Sequence, residues 1–553
     1  MLILALLMGM SYFSHQYCPT FENQQVKIIG VNDKTFTVQS NLFKALIPKN
    51  EHYTLGDKLI LSGKIRQDYE PNFNHHLGLL DNVKITKISK PPSLKRLIYQ
   101  KFPYQYKKIF QYDKESIFSS LSLKMIGLLT LYQLLMKRYF GHDKGSLVFL
   151  ICLGIMFGPN FIWLRYCLKQ LKVPIKTQIC VLLILFPNAL TSIPFVFSYS
   201  LYLLNIFDHQ GSQAISRYCY YAQLSLLYFY EWNPLRSILF RKIRLMAGVY
   251  TVIAALTMFL PNGEFILGGF DKGIHLFQSN LLLEKLTFRG VFPTFFLLFL
   301  LIIHNKKSHM LLLCISLVWV CYPPYGRVSY IDVGQGDSTL ISLPFNKEHY
   351  LIDTGRYFAY ENVSKQLKKH GIKRLNYLIL THDDLDHVEN EEKIIRDFNV
   401  ESIIKNKNQE VGVLDMVLES NEYEDANENS IITQLELHNQ TYLFLGDAGK
   451  KQERELVKNR LVDDVSILKL GHHGSDTSSS QELLQLKNIK LAIASSNPKI
   501  YNHPHPLVKR RLYNHGIQLL ETNKLGTIEI ISFPFIQYLK TSKSSFAIIS
   551  LGD

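Results

Sequence analysis

The chain has 553 residues, 47% of them hydrophobic, and a formal net charge of +15 from 61 Lys+Arg against 46 Asp+Glu. At roughly 100–200 residues per domain, this length holds three or four folding units. The charge does not make the whole chain a basic nucleic-acid binder: from Tyr325 onward 27 basic residues stand against 31 acidic ones. The excess lies in the Leu-, Phe- and Tyr-rich part before it, where cytoplasmic loops between membrane spans collect Lys and Arg. All seven cysteines precede Tyr325, mostly in apolar stretches, a placement that argues against a disulfide framework or a thiolate metal centre.

The first residues, MLILALLMGMSYF, lack a basic start and a small-residue cleavage site, which argues against a signal peptide. Their apolar run is shorter than the roughly 20 residues that cross a bilayer, so residues 1–20 read as a partial span. Residues 21–95 alternate in short β-favouring runs (VKIIGV, TFTVQS, KLILSGKI, NVKITKI) broken by Asn-Asp, Gly-Asp and Ser-Gly, the pattern of a small antiparallel β-barrel of OB-like size. The basic, aromatic stretch Lys95–Lys114 reads as an interfacial amphipathic segment, with contact to a single nucleic-acid strand as the competing reading.

Apolar runs follow at Ser119–Met136, Ser146–Leu164, Val173–Phe186, Ile193–Phe207, Ala222–Tyr230, Met246–Leu260, Val291–Ile303 and Met310–Val320. They predict a multi-pass α-helical domain over 96–324, with the shorter runs re-entrant or broken where they line a polar path. The basic clusters Lys137–Lys144, Arg236–Arg244 and His304–His309 are expected to be cytoplasmic loops, which places the segment after the last run outside the cell.

From Tyr325 the composition is that of an α/β domain, and apolar strands repeatedly end on Asp or His. RVSYIDVGQGDS turns through glycines, HYLIDTG ends at Asp353, and LNYLILTHDDLDH ends on His382, Asp384, Asp386 and His387. TYLFLGD ends at Asp447, VSILKLGHHGS at His472 and His473, and NHPHP places His503 and His505 ahead of a basic helix. Buried strands that deliver ligands to loops on one rim make a rigid site. Imidazole and carboxylate without thiolate suit Zn²⁺, Mn²⁺ or a similar ion.

The ordered set resembles the metallo-β-lactamase superfamily signature H-x-H-x-D-H, with Asp384 in place of its second His. That substitution, with DVGQGDS, Gly446–Asp447, HHGS and HPHP, resembles the ComEC-type DNA-internalisation proteins, and the order of OB-like domain, polytopic region and C-terminal hydrolase (325–553) fits that family throughout. The resemblance implies an αββα C-terminal fold and two divalent ions, Zn or Mn, held by His382, Asp384, Asp386, His387, Asp447, His472 and His473, with Asp447 bridging. It further implies that Asp386, His505 and Asp353 carry the chemistry, Asp353 by orienting a ligand, and that Asn429 and Ser430 lie close to the metals. Lys469, Lys499, Lys509, Arg510 and Arg511 are read as the grip on a strand.

The implied function is DNA uptake across the bacterial cytoplasmic membrane in natural transformation. The extracytoplasmic hydrolase degrades the strand not transported, by attack of a metal-held hydroxide on its phosphodiesters. Single-stranded DNA, membrane lipid, a DNA receptor, an ATP-driven translocation protein and a further copy of the chain are the expected partners, since no phosphate-binding loop motif is present. The competing readings are a channel with an inactive hydrolase fold and a membrane-anchored phosphodiesterase of envelope polymers. Where the family continues its metal motif with Gly-Gly, this chain has Val388–Glu389–Asn390–Glu391–Glu392, whose three carboxylates are expected to repel a nucleic-acid backbone.

Overall fold

Period-two alternation runs through the C-terminal strands and sends neighbouring side chains to different cores. The computed structural model describes residues 20–31, 35–39, 44–48, 53, 57–65, 80–89, 94–110, 121–140, 146–157, 161–185, 195–199, 213–278, 286–291, 306–406, 409, 411–417, 429–486 and 488–543. The chain divides into two compact units. One comprises Met1–Leu224, Asn233–Thr287 and Leu301–Lys306; the other comprises Ser225–Trp232, Phe288–Leu300 and Lys307–Asp553.

In the first unit, strands β1 (Thr20–Val31), β2 (Thr35–Gln39), β3 (Lys44–Pro48), β4 (Lys58–Ile65) and β5 (Leu80–Ser89) form one antiparallel sheet in the order β3-β2-β1-β4-β5. Its core (Val26, Ile28, Phe36, Val38, Ile47, Leu59 and Leu61) also takes in Tyr106, which lies on α2 (Pro103–Phe110) after α1 (Leu94–Lys101). The basic-aromatic stretch is thus partly internal. Tyr104 donates to Asp271 at 2.6 Å and Lys108 pairs with the same carboxylate at 3.1 Å.

Helices α3 (Leu121–Phe140), α4 (Ser146–Phe157), α5 (Phe161–Gln170), α6 (Ile175–Leu185), α7 (Gln213–Phe229), α8 (Pro234–Leu256), α9 (Gly263–Gln278) and α10 (Lys306–Cys321) follow. Gly127 of α3 and Gly248 of α8 touch backbone to backbone; a Cβ on Gly248 would lie 2.4 Å from the Gly127 oxygen. The expected run Ser146–Leu164 is two helices rather than one. Arg236–Arg244 is not a loop: Asn233 caps α8 by accepting from the Arg236 amide at 2.8 Å, Pro234 fits its first turn, and the basic cluster is helical. Among the described residues one helix, Pro234–Phe259, is long and apolar enough to cross a membrane. Residues 1–19, and most of the expected runs Ile193–Phe207 and Val291–Ile303, lie outside the described residues.

The second unit holds two sheets. One has the order β12-β11-β10-β9-β8-β19-β20, from β8 (Gly326–Tyr330), β9 (Thr339–Ser342), β10 (His349–Ile352), β11 (Leu375–Ile379), β12 (Val400–Ile404), β19 (Ile528–Ser532) and β20 (Gln537–Thr541). The other has the order β13-β14-β15-β16-β17-β18, from β13 (Asp415–Met416), β14 (Thr433–Leu437), β15 (Gln440–Phe444), β16 (Ile467–Lys469), β17 (Leu491–Ala494) and β18 (Gln518–Glu521). Tyr350, Ile352, Ile379, Tyr442, Phe444, Ile467 and Ile493 meet in one core between the sheets. Their neighbours Leu351 and Leu378 pack outward with α11 (Tyr360–Lys369) and α13 (Glu391–Phe398). Leu443, Leu468 and Ala492 pack outward on the other side with α14 (Lys450–Lys458) and α16 (Pro506–Asn514). The result is a four-layer α/β/β/α sandwich, and each fully buried Leu or Ile in it contributes about 1.5–3 kcal/mol.

A short ribbon from earlier in the chain completes this unit. Strands β6 (Glu231–Trp232) and β7 (Phe288–Arg289) pair antiparallel. The Arg289 guanidinium donates to the Ile372 carbonyl at 3.1 Å and lies 5.5 Å over the Phe398 ring, while Glu231 pairs with Lys368 at 3.2 Å. The start of the unit is therefore not confined to Tyr325.

Beneath the first sheet, His349 and His370 share the Ser342 hydroxyl, at 3.0 and 2.8 Å, and both rings are buried. Burial, then the nearby Arg327 guanidinium, pulls His349 down from 6.5 to about 4. The unfolded chain therefore takes up this proton before the folded one does. His349 contributes fully above about 6.5, and that contribution, up to roughly 3 kcal/mol, is lost as pH falls toward 4. Urea midpoints are expected to drop over this window, and to drop less for His349→Gln; equal pH dependence in the two proteins would refute this assignment.

Candidate metal centre

Five strand ends supply the site. The loops after β8, β10, β11, β15 and β16 carry Asp337, Asp353, the segment His382–His387, which runs into α12 (Leu385–Val388), Asp447 and the pair His472–His473. Three of these backbones take the left-handed region that disfavours residues with a Cβ: Asp353 (φ 59°), His472 (φ 45°) and His473 (φ 55°). Such strain persists only where surrounding structure enforces it, and it gathers at functional sites. Gly336 meets a different constraint. At φ 131° it packs so close to Asp386 that a Cβ would lie 2.3 Å from the Asp386 oxygen, and beside it the Asp337 amide donates to that same oxygen at 3.2 Å.

Asp353 is fully buried and orders two histidines. Its carboxylate accepts from the Thr381 amide and hydroxyl, each at 2.8 Å, and lies 2.8 Å from His387 Nδ1. His387 then carries its proton on Nδ1 in the neutral ring and turns the Nε2 lone pair toward Asp447 Oδ1, 3.4 Å away. The Thr381 hydroxyl, having given its proton to Asp353, accepts from His382 Nδ1 at 3.0 Å. Ser430 Oγ stands 3.4 Å from the same nitrogen and accepts from the Asp447 amide at 3.0 Å. One carboxylate thus sets both rings, the second through a threonine.

His473 is held from the other side. Its Nδ1 lies 3.4 Å from Asp337 Oδ1, while Asp337 Oδ2 takes the Lys469 ammonium at 2.7 Å. Its Nε2 faces Asp386 Oδ2 at 3.4 Å and Asp447 Oδ1 at 3.6 Å. Asp447 Oδ2 faces different groups, His382 Nε2 at 3.8 Å and His472 Nε2 at 4.0 Å, and Asp384 Oδ2 is 3.6 Å from His382 Nε2.

These spacings suit a cation. Donors about 2.1 Å from a tetrahedral ion stand about 3.4 Å from one another. Asp337, His387, Asp447 and His473, all buried, each bring a candidate donor atom within 4.8 Å of the others. His382 Nε2, His387 Nε2, Asp447 Oδ1 and His473 Nε2 are buried without a hydrogen bond. Leaving one such group unpaired costs about 1–3 kcal/mol, so this many in one place points to a ligand. The residues fit a divalent ion.

The protein's charges respond to one another accordingly. Burial lowers the basicity of His387, but Asp353 and Asp447 outweigh it and hold the ring well above the ordinary imidazole value. Burial is likewise overcome at His473, which Asp447 and Asp337 lift to about 9. Asp447 is buried yet held well below the usual carboxylate range by His473 and His387. Binding of a divalent ion by these rings would displace the protons they hold.

Several residues stand apart from their sequence-based roles. Lys469, expected to grip a strand, is 2% exposed and locked in the Asp337 pair. Arg511 spans to the Ser479 carbonyl and Asp476, at 2.8 and 2.9 Å, and Lys509 pairs with Glu521 at 3.1 Å. Arg510 is exposed on α16, and the Lys499 side chain lies outside the described residues. His505 caps α16, its Nδ1 accepting from the Leu507 amide at 3.3 Å; the His503 ring lies beside the site, its centroid 6.0 Å from that of His472. Asp337 stands in the DVGQGDS turn but is not among the ligands that the sequence pattern offers. The acidic run after His387 has structural work. Glu389 accepts from the Tyr357 amide, Glu391 pairs with Lys405, and buried Asn390 donates to the carbonyls of Thr354, Gly355 and Arg356, clamping the Asp353 turn.

No family model matches the chain. It is 29% identical over 261 residues to ComE operon protein 3 of Bacillus subtilis (38% of this chain, 34% of that one). It is 30% identical over 220 residues to competence protein ComA of Neisseria gonorrhoeae (36% and 32%). With recombination protein 2 of Haemophilus influenzae the identity is 26% over 282 residues (44% and 35%). The chain thus spans about a third of the length of these relatives. Among solved structures, the metallo-beta-lactamase fold protein YhfI of Bacillus subtilis is similar at 10% identity and a TM-score of 0.28, over 37% of this chain and 99% of that one.

Replacing Asp353 by Asn removes the acceptor that sets His387 and, through Thr381, His382. Divalent-ion affinity is expected to fall about 10–100-fold, read by competition with a chromophoric chelator; unchanged affinity would refute the orienting role.

Proposed function

We propose, from the premise that this chain is a ComEC-type protein with a metallo-β-lactamase-like domain, that it takes part in DNA uptake across the cytoplasmic membrane and that its C-terminal unit hydrolyses DNA phosphodiesters. The observation that carries the hydrolase reading is Asp447. Its two oxygens face two separate donor groups, His387 and His473 on one side, His382 and His472 on the other. One divalent ion would be held by His387, His473 and Asp386 and a second by His382, His472 and Asp384, with Asp447 open to both.

Bound divalent ions would neutralise charge on the phosphoryl oxygens and lower the pKa of an attacking water. The chain's own residues hold that chemistry in place. Asp353, Thr381 and Ser430 aim His387 and His382, and Asp337 with Lys469 aims His473. We read His503, whose ring lies beside that of His472, as the group that would hydrogen-bond a phosphoryl oxygen, the role the sequence pattern offers to His505. The intact donor set counts against a hydrolase fold that only binds strand. We read the five-stranded sheet, in the order β3-β2-β1-β4-β5, as an OB-like barrel, and the helices of the first unit as a multi-pass membrane domain. An extracytoplasmic hydrolase, single-stranded DNA, lipid, a further copy of the chain and separate receptor and ATP-driven partners belong to the same reading.

The test is cleavage of end-labelled single-stranded DNA by the purified full chain, stripped of metal and reloaded with Mn²⁺ or Zn²⁺. Metal-restored cleavage is expected, reduced at least about 100-fold in Asp447→Asn. A wild-type protein that takes up metal yet leaves DNA intact would sink the nuclease reading.

A further inference from the structure

We infer that Tyr501 is a nucleobase platform at the mouth of the metal centre, and that it makes the site favour unpaired over duplex polynucleotide. The inference rests on the reading of the site as a DNA phosphodiesterase and deepens it.

Tyr501 ends α15 (Pro498–Tyr501), a single turn following the β17 strand end. Its side chain is 57% exposed, and its ring centroid lies 5.9 Å from that of His503. The His503 ring is in turn 6.0 Å from His472, whose Nε2 is 4.0 Å from Asp447 Oδ2. Three rings therefore step from solvent to the shared carboxylate.

The platform is anchored. The Asn502 amide closes the turn on the Pro498 carbonyl at 3.0 Å, and Asn502 itself is left-handed (φ 56°). The His505 amide donates to the Gly474 carbonyl at 2.9 Å, tying the segment to the His472–His473 loop. Leu385, 65% exposed between Asp384 and Asp386, supplies a second apolar side chain beside the donors.

The chemistry selects the occupant. A phosphodiester bound at the metal centre belongs, in a polynucleotide, to a strand with a planar base on every sugar. At the 3.4 Å rise of a stacked strand, two ring-to-ring steps of 5.9 and 6.0 Å span at most roughly three to four nucleotides between the His472 ring and a base over Tyr501. Stacking on an aromatic side chain needs a free base face and tolerates any sequence. A duplex has already used those faces.

The experiment uses the full chain in two states. In the metal-free state, a single-stranded oligonucleotide with 2-aminopurine placed at successive positions is expected to show a quench confined to a few neighbouring positions. That quench is retained in Tyr501→Phe and lost in Tyr501→Ala. In the metal-loaded state, the ratio of single-strand to duplex cleavage is expected to fall about 10-fold in Tyr501→Ala, while cleavage of a strand with abasic sites at those positions is the same in both proteins. An alanine variant that keeps both the quench and the strand preference overturns the platform and leaves the phosphodiesterase standing. A wild type that neither quenches nor cleaves any DNA overturns both.

Discussion

The C-terminal unit is organised around one buried carboxylate that touches no solvent. Asp353 receives three hydrogen bonds, from the Thr381 amide, the Thr381 hydroxyl and His387. Each one fixes something else: the end of β11, the proton on His382, and the direction of the His387 lone pair. The carboxylate can do this because its backbone is left-handed, which aims it at the neighbouring strand end. Asn390, buried in the loop that follows His387, keeps that turn closed by serving three successive carbonyls. The ligand geometry is thus the last link in a chain of constraints that begins in the sheet.

Charge compensation follows the same logic. Asp337 and Asp447 sit buried against His387, His473 and Lys469, with Asp386, 17% exposed, beside them. Unpaired, any of these charges would cost several kcal/mol; together they offset one another, and the spacing near 3.4 Å still leaves room for a cation between them. The buried Lys469 is what allows Asp337 to stand beside His473 without adding an unbalanced negative charge.

Much of this was legible in the sequence. Apolar strands ending on Asp or His identify the rim, and Asp353, His382, His387, Asp447 and His473 come together there. What was hidden depends on distance along the chain. Lys469 looks like a surface cation because its partner, Asp337, is 132 residues away. The choice between His503 and His505 turns on how one short segment bends around Asn502, which no periodicity reveals. The acidic run after His387 reads as repulsion until Lys405 and the Tyr357 amide are seen to occupy two of its carboxylates. The basic cluster Arg236–Arg244 reads as a loop because its charge is visible, whereas the Asn233 cap that makes it helical is a single side chain.

The ribbon of β6 and β7 ties the history of the chain to its finished form. During synthesis from the N-terminus, Glu231 and Arg289 emerge well before Lys368, Ile372 and Phe398, the groups they close upon. Their contacts with these later groups form only once the sandwich has been translated and folded. The C-terminal unit is therefore not a cassette that one cut can transplant. Its last contacts are made by its oldest residues, so assembly of this unit is completed backwards along the chain.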